Sequence, residues 1–279
     1  MPLRLEAVGH TYHAGTAASV TALGGVTMTI EPGELVLVVG ETGSGKSTLL
    51  RIAAGLMAPT TGQATVDGVR LGDPAARGLV GLVFQDAESQ LFADSILDDV
   101  AFGPRNLGLA PLDVEAAARS ALVTVGLDPD TYGDRSPFAL SGGEARRAAI
   151  AGVLAMRPRY LLADEPTSAL DAGGRRAVIE ALRSSREHAG VMIVSHSPEE
   201  FLDEADRVLV LHTASVAWYG DAGALLREPS PLVRSGLTIP DVAAVQLELG
   251  RRLGVEVDPV LDVGRAAQWI EDVVGGWTS

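Results

Sequence analysis

The chain has 279 residues, of which 47% are apolar, a formal net charge of −14 and no cysteine. This length allows one large α/β domain with an extension, or two modest domains. The lack of cysteine excludes disulfides, thiolate metal sites and cysteine nucleophiles. The acidity opposes nonspecific attraction to a phosphate backbone, so we predict that nucleic acid is not a partner.

The start of the chain gives no sign of a targeting segment. Residues 1–6 lack the charged and then apolar pattern of a signal peptide, and no apolar run has the length of a membrane span. We therefore expect a cytosolic chain, which would act at a membrane only by docking onto the helices of another protein.

The first elements in chain order are predicted to be strands. Two strands are expected over residues 3–12 and 20–30, and a turn at 31–34 separates them from an apolar run at 35–39 that is typical of a buried strand. Tyr12 ends the first strand, and its residue type alone indicates an ordinary strand-edge tyrosine.

A phosphate loop, residues 40–48, follows the buried strand directly. Its sequence, GETGSGKST, is a complete G-x-x-x-x-G-K-[ST] motif between a predicted strand and a helix predicted at 48–54. The glycines let backbone N–H groups turn towards a polyphosphate, and the helix N-terminus adds unpaired donors. We predict that Lys46 contacts the β- and γ-phosphates and that Ser47 ligates Mg²⁺. The predicted nucleotide-binding residues of this loop are Gly40, Thr42, Gly43, Ser44, Gly45, Lys46, Ser47 and Thr48.

Two short strands are predicted after the first helix, over residues 64–66 and 79–84. Gln85 follows the second, so a polar side chain stands at the carboxyl end of an apolar strand, where ligands bind in open α/β sheets. An isolated glutamine in that place is also typical of an ordinary loop.

The pattern becomes helical from residue 87 to about residue 157. Helices are predicted over 98–104, 114–125 and 145–156. Because this Ala-rich segment interrupts the alternation of strands and helices, we predict a separate helical subdomain here.

The sequence LSGGE at residues 140–144 stands directly before the last of these helices. Ser141, Gly142 and Gly143 are typical of a phosphate-binding helix N-terminus, whereas Ser141 with Glu144 also matches a capping box. Both interpretations can hold together. One chain has no evident need for two polyphosphate cradles, but a head-to-tail dimer would use both, with each nucleotide between one chain's phosphate loop and the other's residues 141–143.

A strand predicted over residues 159–165 ends in two acids, Asp164 and Glu165. A carboxylate beside a phosphate loop can hold the coordination shell of Mg²⁺, and a second can orient and polarise the attacking water. We assign the first role to Asp164 and the second to Glu165.

A further apolar strand, predicted over residues 191–196, ends at His196. A lone histidine is usually structural. Here Gln85, Asp164 and His196 all stand at carboxyl ends of strands, and their convergence on one edge of a sheet predicts a site.

The rest of the chain is predicted to contain part of a helix, a hairpin and a helical tail. Residues 201–205 are predicted to form the start or the end of a helix, and residues 207–211 are predicted to pair with 215–219. Helices are predicted to begin at Asp241 and Asp262. Their apolar positions are Val242, Val245, Leu249 and Leu253 in the first, and Ala266, Ile270 and Val273 in the second. Because two short helices cannot form an independent core, we expect these faces to pack on the rest of the chain or on a second chain.

The motifs resemble, in order and spacing, those of the ATP-binding-cassette (ABC) family. They comprise the phosphate loop, Gln85, residues 140–144, 161–165 and 168–171, and His196. The resemblance covers about residues 3–225. It implies an α/β P-loop NTPase fold, with a RecA-like core sheet, an N-terminal antiparallel β subdomain and the helical subdomain.

The resemblance also implies a division of the chain. We expect an ABC ATPase domain over residues 1–225, with the helical subdomain inserted at about 87–157. The remaining residues, 226–279, would form a helical extension used for dimerisation.

The resemblance further implies roles for individual residues. Tyr12 matches the aromatic that stacks on adenine, and residues 141–143 match the signature loop that faces the partner's γ-phosphate. Glu165 matches the catalytic glutamate, Asp171 the D-loop acid and His196 the switch histidine, while Gln85 matches the Q-loop. The expected catalytic residues are thus Gln85, Glu165 and His196, and the expected metal ligands are Ser47, Gln85 and Asp164. The expected nucleotide contacts beyond the phosphate loop are Tyr12, Ser141, Gly142, Gly143 and Asp171. The expected cofactors are ATP and Mg²⁺.

A narrower resemblance is to the ATPase subunits of energy-coupling factor (ECF) transporters, which import vitamins and transition-metal ions. It is carried by FQDAESQLF at 84–92, VAFGPRNLG at 100–108 and RRAAIAGVLA at 146–155. The sequence LTIPDV at 237–242 is similar to that group's C-terminal extension. Two departures remove no group that the chemistry requires: Glu144 replaces the commoner glutamine, and Ser197 replaces an acid that often follows the histidine.

The resemblance implies an ATP-hydrolysing subunit of an ECF-type importer at the cytoplasmic face of the cell membrane. Its partners would be a second ATPase chain, identical or different, a membrane-embedded coupling subunit and a substrate-binding membrane subunit. The groove near Gln85 and the helical subdomain would receive a coupling helix. Alternatives are a hydrolysis-poor regulatory cassette, the ATPase of another ABC transporter, and a soluble cassette of DNA repair or translation. Glu165 argues against the first alternative, and the acidity against the last.

Overall fold

The structure, a computed structural model, describes residues 1–275; residues 276–279, the end of the predicted extension, lie outside the described part. In chain order the elements are β1 (Leu3–Tyr12), β2 (Val20–Ile30), β3 (Leu35–Val39), α1 (Lys46–Ala53), β4 (Thr61–Val66), β5 (Val69–Arg70), β6 (Val80–Val83), α2 (Ile96–Asn106), α3 (Pro111–Thr124), α4 (Pro129–Tyr132), α5 (Gly142–Ala155), β7 (Tyr160–Asp164), α6 (Ala172–Ser185), β8 (Gly190–Ser195), β9 (Arg207–His212), β10 (Ser215–Asp221), α7 (Ala222–Arg227), α8 (Ser230–Arg234), α9 (Asp241–Leu253) and α10 (Val263–Gly275). Short 3₁₀ turns lie at Pro74–Ala76, Ala87–Gln90, Pro137–Ala139 and Pro198–Glu200.

A six-stranded central sheet has the strand order β10-β9-β3-β8-β7-β6. All neighbours pair in parallel except β10, which forms an antiparallel hairpin with β9 as predicted. Every residue of β3 and β8 is buried, as expected for parallel strands that are covered on both faces. The carboxyl ends of β3, β6, β7 and β8 therefore meet at one edge of this sheet.

A second sheet, with the order β2-β1-β4-β5, is antiparallel and covers one face of the central sheet. Successive residues of β3 point to opposite faces. Val36 and Val38 therefore pack with the second sheet and α1, whereas Leu35, Leu37 and Val39 pack with the helices on the other face. The α/β architecture with an N-terminal antiparallel sheet agrees with the predicted fold class.

The helices predicted between residues 87 and 157 are present as α2, α3 and α5, with the short α4 in addition. Their buried positions, among them Val100, Val114 and Ala148, join the larger apolar core. This core continues beneath the central sheet, where α5 packs against β6.

The helix end predicted at residues 201–205 is wrong. The chain forms a 3₁₀ turn at Pro198–Glu200 and then hydrogen-bonded turns, with Phe201 and Leu202 buried. The N–H of Asp206 already donates to the carbonyl of Leu35, at 3.0 Å, as the chain enters β9. The distance from the turn to the sheet is therefore too short for a helix.

The tail helices are present as predicted, but the predicted face of α9 is not the one that this chain buries. Val245 is 56% exposed, whereas Ala243, Gln246 and Gly250 are buried. The Gln246 amide explains the difference, because it donates to the carbonyls of Val242 and Val260 at 2.8 and 2.7 Å and accepts from the Val260 N–H at 3.2 Å.

Small residues complete this arrangement. A side chain at Gly250 would collide with Val257, on the segment that returns between α9 and α10. Gly236, with φ +73°, lies against the side chain of Glu41, so the tail reaches the phosphate loop. Among residues 1–275, no helix is both long and apolar enough to cross a membrane.

Candidate nucleotide site

The phosphate loop joins β3 to α1 and depends on glycine. Gly43 and Gly45 have φ values of +82° and +107°, in the left-handed region that disfavours other residues. A side chain at Gly45 would also collide with the carbonyl of Ala22. The loop conformation thus requires glycine for both backbone and steric reasons.

Lys46 begins α1, and its ammonium group donates to the carbonyls of Gly40 at 2.6 Å and Glu41 at 3.0 Å. Burial lowers the Lys46 pKa, and the charges of Glu165 and Asp164 oppose that change. The cation is therefore held within the loop and close to the acids at the end of β7.

Ser44 carries a buried hydroxyl oxygen with no hydrogen-bond partner among the described residues. A buried polar atom without a partner costs about 1–3 kcal/mol. An orphaned hydroxyl inside a glycine-rich loop at a helix N-terminus fits a ligand that supplies hydrogen-bond acceptors, such as a phosphate group.

Tyr12 lies beside the phosphate loop at the end of β1. Its hydroxyl is 3.2 Å from that of Thr48 and 3.7 Å from the sulfur of Met57. The ring of His10 packs edge-on against it, with 4.6 Å between ring centroids. The structure therefore brings the predicted adenine-stacking residue to the phosphate loop.

Glu165 follows β7 in a constrained backbone conformation, with φ +48°. Its N–H donates to the carbonyl of Val194 at 2.9 Å, which continues the pairing with β8. At the end of β8, His196 places its Nδ1 atom 2.8 Å from Glu165 Oε2. The two predicted catalytic groups are thus in direct contact.

Asp164 ends β7 and contacts the phosphate loop. Burial and, after it, the charge of Glu165 raise the pKa of Asp164. The positive charges of Lys46 and Arg51 and a hydrogen bond from Ser47 act in the opposite direction. The three predicted metal ligands, Ser47, Gln85 and Asp164, line one cleft of about 280 Å³.

The signature loop, residues 141–143, makes no hydrogen bond to the phosphate loop within the part of the chain that the structure describes. The Ser141 hydroxyl donates to Glu144 Oε2 at 2.7 Å, and its oxygen accepts from the Glu144 N–H at 3.3 Å. The Ser141 N–H also donates to Glu144 Oε2, at 2.8 Å, which confirms the capping box. A Cβ atom at Gly142 would meet open space.

Glu144 is held strongly in its ionised form. The hydrogen bonds from the Ser141 backbone and then its side chain, and a further one from the Tyr132 hydroxyl at 2.8 Å, lower the Glu144 pKa to about 2. The carboxylate therefore fixes the start of α5 and with it the conformation of the signature loop.

Asp171 caps a different helix. Its Oδ1 atom accepts from the Gly174 N–H at 2.7 Å at the start of α6. Within this chain the carboxylate has a structural partner, and the predicted nucleotide contact would be additional to it.

Two links around Glu165 were missed from the sequence. Arg146 contacts the backbone carbonyls of Glu165 and Pro166, and Glu200 accepts from the Thr167 hydroxyl while pairing with Arg175 at 3.1 Å. No local sequence pattern marks these partners, because each pair lies 19 or more residues apart along the chain.

Comparison with known proteins identifies the family. The family model described as ABC transporter matches residues 23–168. The chain belongs to the ABC transporter family. This ABC cassette is 45% identical to the energy-coupling factor transporter ATP-binding protein EcfA2 of Symbiobacterium thermophilum, over 99% of this chain and 98% of the relative. It is 38% identical to the EcfA2 protein of Clostridium perfringens, over 98% and 99% of the two chains.

Solved structures support the fold of this ABC cassette. The cassette MJ0796, as a dimer in a post-hydrolysis state bound to ADP and Pi, has a TM-score of 0.71 at 28% identity, covering 80% of this chain and 99% of that one. The cbiO1 protein from Clostridium perfringens, part of the transporter complex cbiONQ, has a TM-score of 0.71 at 30% identity, covering 87% and 97%. The resemblance to the ABC family and to its ECF group is thereby confirmed.

Proposed function

We propose that this chain is the ATP-hydrolysing subunit of an ECF importer, which powers uptake of a vitamin or a transition-metal ion. Its relatives are named ATP-binding proteins of energy-coupling factor transporters, and one structural neighbour is a cassette bound to ADP and Pi. The observation that carries ATP hydrolysis is the direct contact of Glu165 with His196, beside a phosphate loop in which the buried Ser44 hydroxyl has no hydrogen-bond partner among residues 1–275.

The phosphate loop would bind the triphosphate through its backbone N–H groups and the side chains of Ser44, Lys46 and Thr48. Lys46 would exchange its hydrogen bonds to the loop carbonyls for hydrogen bonds to the β- and γ-phosphates. These are stronger, because the phosphate oxygens are negatively charged and the carbonyls are neutral. Tyr12, already against Thr48, would support the adenine ring by stacking.

The donor set around the cleft fits Mg²⁺. Ser47, Gln85 and Asp164 offer a hydroxyl, an amide oxygen and a carboxylate, and Mg²⁺ prefers oxygen ligands together with substrate phosphates. Among the described residues no group of three or more histidine, cysteine or acidic side chains could hold a metal by itself. Bound Mg²⁺ would neutralise charge that develops on the phosphates.

Glu165 would accept a proton from the attacking water as the water bonds to the γ-phosphorus and ADP leaves. His196, whose Nδ1 lies 2.8 Å from Glu165 Oε2, would hold the carboxylate in that orientation. Gln85, which lines the cleft, would contact the attacking water. This geometry favours an active ATPase over a hydrolysis-poor regulatory cassette.

The signature loop would complete the nucleotide site of a second ATPase chain. Its exposed position at the start of α5, where Gly142 faces open space, leaves it accessible for such a contact, and the neighbouring MJ0796 structure is dimeric. Asp171 would lie at the same interface. We further propose that residues 226–279 form a helical extension that contributes to this dimer, and the exposed side chain of Val245 on α9 supports such a contact.

The membrane partner would be a coupling subunit, with a separate substrate-binding subunit beside it. A groove of about 390 Å³ next to the Q-loop presents Phe92 and Phe102, which are 59% and 45% exposed and stack edge-on at 4.9 Å. An apolar groove of this kind suits an amphipathic helix from another chain. The chain would thus work as a peripheral protein on the cytoplasmic face of the membrane.

Reconstitution tests this function. The chain, expressed with its neighbouring genes and purified from membranes, is expected to bring a coupling subunit and a substrate-binding subunit with it. Proteoliposomes of that complex should take up vitamin or metal ion only with ATP, and Glu165→Gln should assemble normally but abolish uptake. Normal uptake by the Glu165→Gln complex, or purification without membrane subunits, would contradict the proposal.

A further inference from the structure

Arg146 occupies an unusual position for a charged side chain. It lies in the first turns of α5, directly after the signature loop, and is only 4% exposed. Its Nε donates to the Pro166 carbonyl at 3.3 Å, one Nη donates to the Glu165 carbonyl at 2.5 Å, and the other lies 3.7 Å from Glu88 Oε2. Burying a guanidinium is costly unless it is paired and hydrogen-bonded, so these contacts are specific.

The contact to Glu165 falls on a strained peptide. A non-glycine residue at φ +48° costs on the order of 1–3 kcal/mol and persists only when its surroundings fix it. On the amino side, the Glu165 N–H is held by β8; on the carboxyl side, the carbonyl accepts from Arg146 and from the Ser168 N–H at 3.1 Å. Arg146 is therefore one of the groups that hold the Glu165 backbone in the conformation from which its side chain reaches His196.

The third contact joins a different segment. Glu88 belongs to the 3₁₀ turn Ala87–Gln90, which follows Gln85. Its Oε2 atom is buried without a hydrogen bond among the described residues, so the nearby Arg146 guanidinium supplies its compensating charge. One side chain thus connects the signature helix, the catalytic acid and the Q-loop turn.

We propose that Arg146 is a positioning residue, which holds Glu165 in its catalytic orientation and links it to the signature helix. This inference rests on the proposed function. In a head-to-tail dimer, Glu165 serves the site of its own phosphate loop, whereas the signature loop of the same chain serves the partner's site. Arg146 therefore lies on the helix that carries the signature loop for the partner's site, but its contact with the Glu165 carbonyl serves the site of its own phosphate loop.

The proposal predicts a loss of turnover without a loss of ATP affinity. Within the described residues, the polar contacts of Arg146 fall on Glu88, Glu165 and Pro166 and not on the phosphate loop, so nucleotide binding there should persist in Arg146→Ala. A displaced Glu165 would no longer meet the water correctly, and we expect kcat to fall at least about tenfold with KM changed by less than about twofold.

Two backgrounds separate positioning of Glu165 from support of the signature loop. Each dimer pairs one altered chain with an unaltered partner ATPase. Ser141→Arg in the altered chain inactivates the site on the partner's phosphate loop, so the remaining active site is the one that uses the altered chain's phosphate loop and Glu165. Lys46→Ala in the altered chain inactivates the site on its own phosphate loop, so the remaining active site is the one on the partner's phosphate loop, which the altered chain's signature loop completes. We expect added Arg146→Ala to lower kcat at least about tenfold in the first background and by less than about twofold in the second.

Arg147→Ala is the matched control. Arg147 is the next residue of α5 and also donates to two backbone carbonyls, those of Val125 and Gly126, both at 3.0 Å and away from Glu165. It should leave kcat per folded molecule within about twofold in both backgrounds. Arg146→Lys, which keeps the charge but not the paired donors, should follow Arg146→Ala and serves in its place if that variant does not fold.

The outcomes are distinct. A fall confined to the Ser141→Arg background supports the positioning role. Equal falls in both backgrounds, a fall confined to the Lys46→Ala background, or unchanged kcat would overturn it. Activity of the parental dimer, and its loss when Lys46→Ala is present in both chains, report on the proposed function in the same assay independently of Arg146.

Discussion

Ser141→Ala separates the structural role of the signature loop from its proposed role in catalysis. The substitution removes the hydroxyl that donates to Glu144 at 2.7 Å and accepts from the Glu144 N–H at 3.3 Å. The Ser141 N–H and the Tyr132 hydroxyl still bind the carboxylate, so part of the cap survives. Loss of such a cap costs about 1 kcal/mol, which lowers the melting temperature by roughly 2–4 °C.

That loss of stability is too small to reduce activity. A protein with an unfolding free energy of about 5 kcal/mol or more would remain over roughly 99% folded after losing about 1 kcal/mol. A hydrogen bond to a charged phosphate contributes about 1.5–3 kcal/mol, so its loss should lower kcat/KM about tenfold to a hundredfold. The two roles of Ser141 therefore predict effects of different size on different quantities.

The assay combines urea unfolding with phosphate release for the dimer that carries Ser141→Ala. Glu144→Gln is the control, because glutamine also completes a capping box while the serine hydroxyl is kept. We expect Ser141→Ala to lose at least about tenfold in kcat/KM and the control to stay close to the parent. A melting temperature lowered by a few degrees with unchanged kcat/KM per folded molecule would refute the phosphate contact.

Three further results are expected. Lys46→Ala should lower ATP affinity at least about tenfold in equilibrium binding, because it removes the charge on the β- and γ-phosphates; near-parental affinity would contradict the loop assignment. Glu165→Gln should bind ATP, lose turnover and accumulate an ATP-bound dimer in size-exclusion chromatography, whereas parental turnover would remove Glu165 from the mechanism. The folded-state pKa of Glu144 is about 2 against a usual 4.5, so its charge stabilises the fold above pH 4.5 and this contribution is lost as the pH falls towards 2. Because the Glu144 side chain is near the surface, the effect on stability is modest. The difference in unfolding free energy between the parent and Glu144→Gln should shrink as the pH falls from 4.5 towards 2. A difference that stays constant over this interval would argue against the pKa shift.

The parts of the fold that sequence could predict are those in which a local pattern determines the conformation. The phosphate loop needs glycine at Gly43 and Gly45 for backbone reasons, and the motif records that need directly. The strand β3 is buried on both faces, and its unbroken apolar run is typical of such strands. The carboxyl ends of parallel strands share one edge, so Gln85, Asp164 and His196 could be placed at the same edge from the sequence.

The parts that sequence did not predict depend on contacts between distant segments. Arg146 occurs in a helix where arginine is ordinarily exposed, and its burial depends on partners far away in the sequence, the carbonyls 19 and 20 residues further on and the carboxylate of Glu88. The face of α9 was predicted from apolarity alone, whereas the structure buries an amide, Gln246, whose partners include Val260 on the returning segment. Hydrogen bonding to distant backbone outweighed hydrophobicity in both cases.

The central claim is that each nucleotide site is shared by two chains. The test applies to a dimer of this chain with itself, in which two variants with different affinity tags, Ser141→Arg and Lys46→Ala, each carry a lesion in both shared sites. A mixed dimer contains one site with both lesions and one site with neither. Phosphate release by mixed dimers isolated through both tags measures the claim directly: we predict that activity reappears, at up to about half of the parental rate for one intact site of two. Mixed dimers that form but release no phosphate would contradict the account.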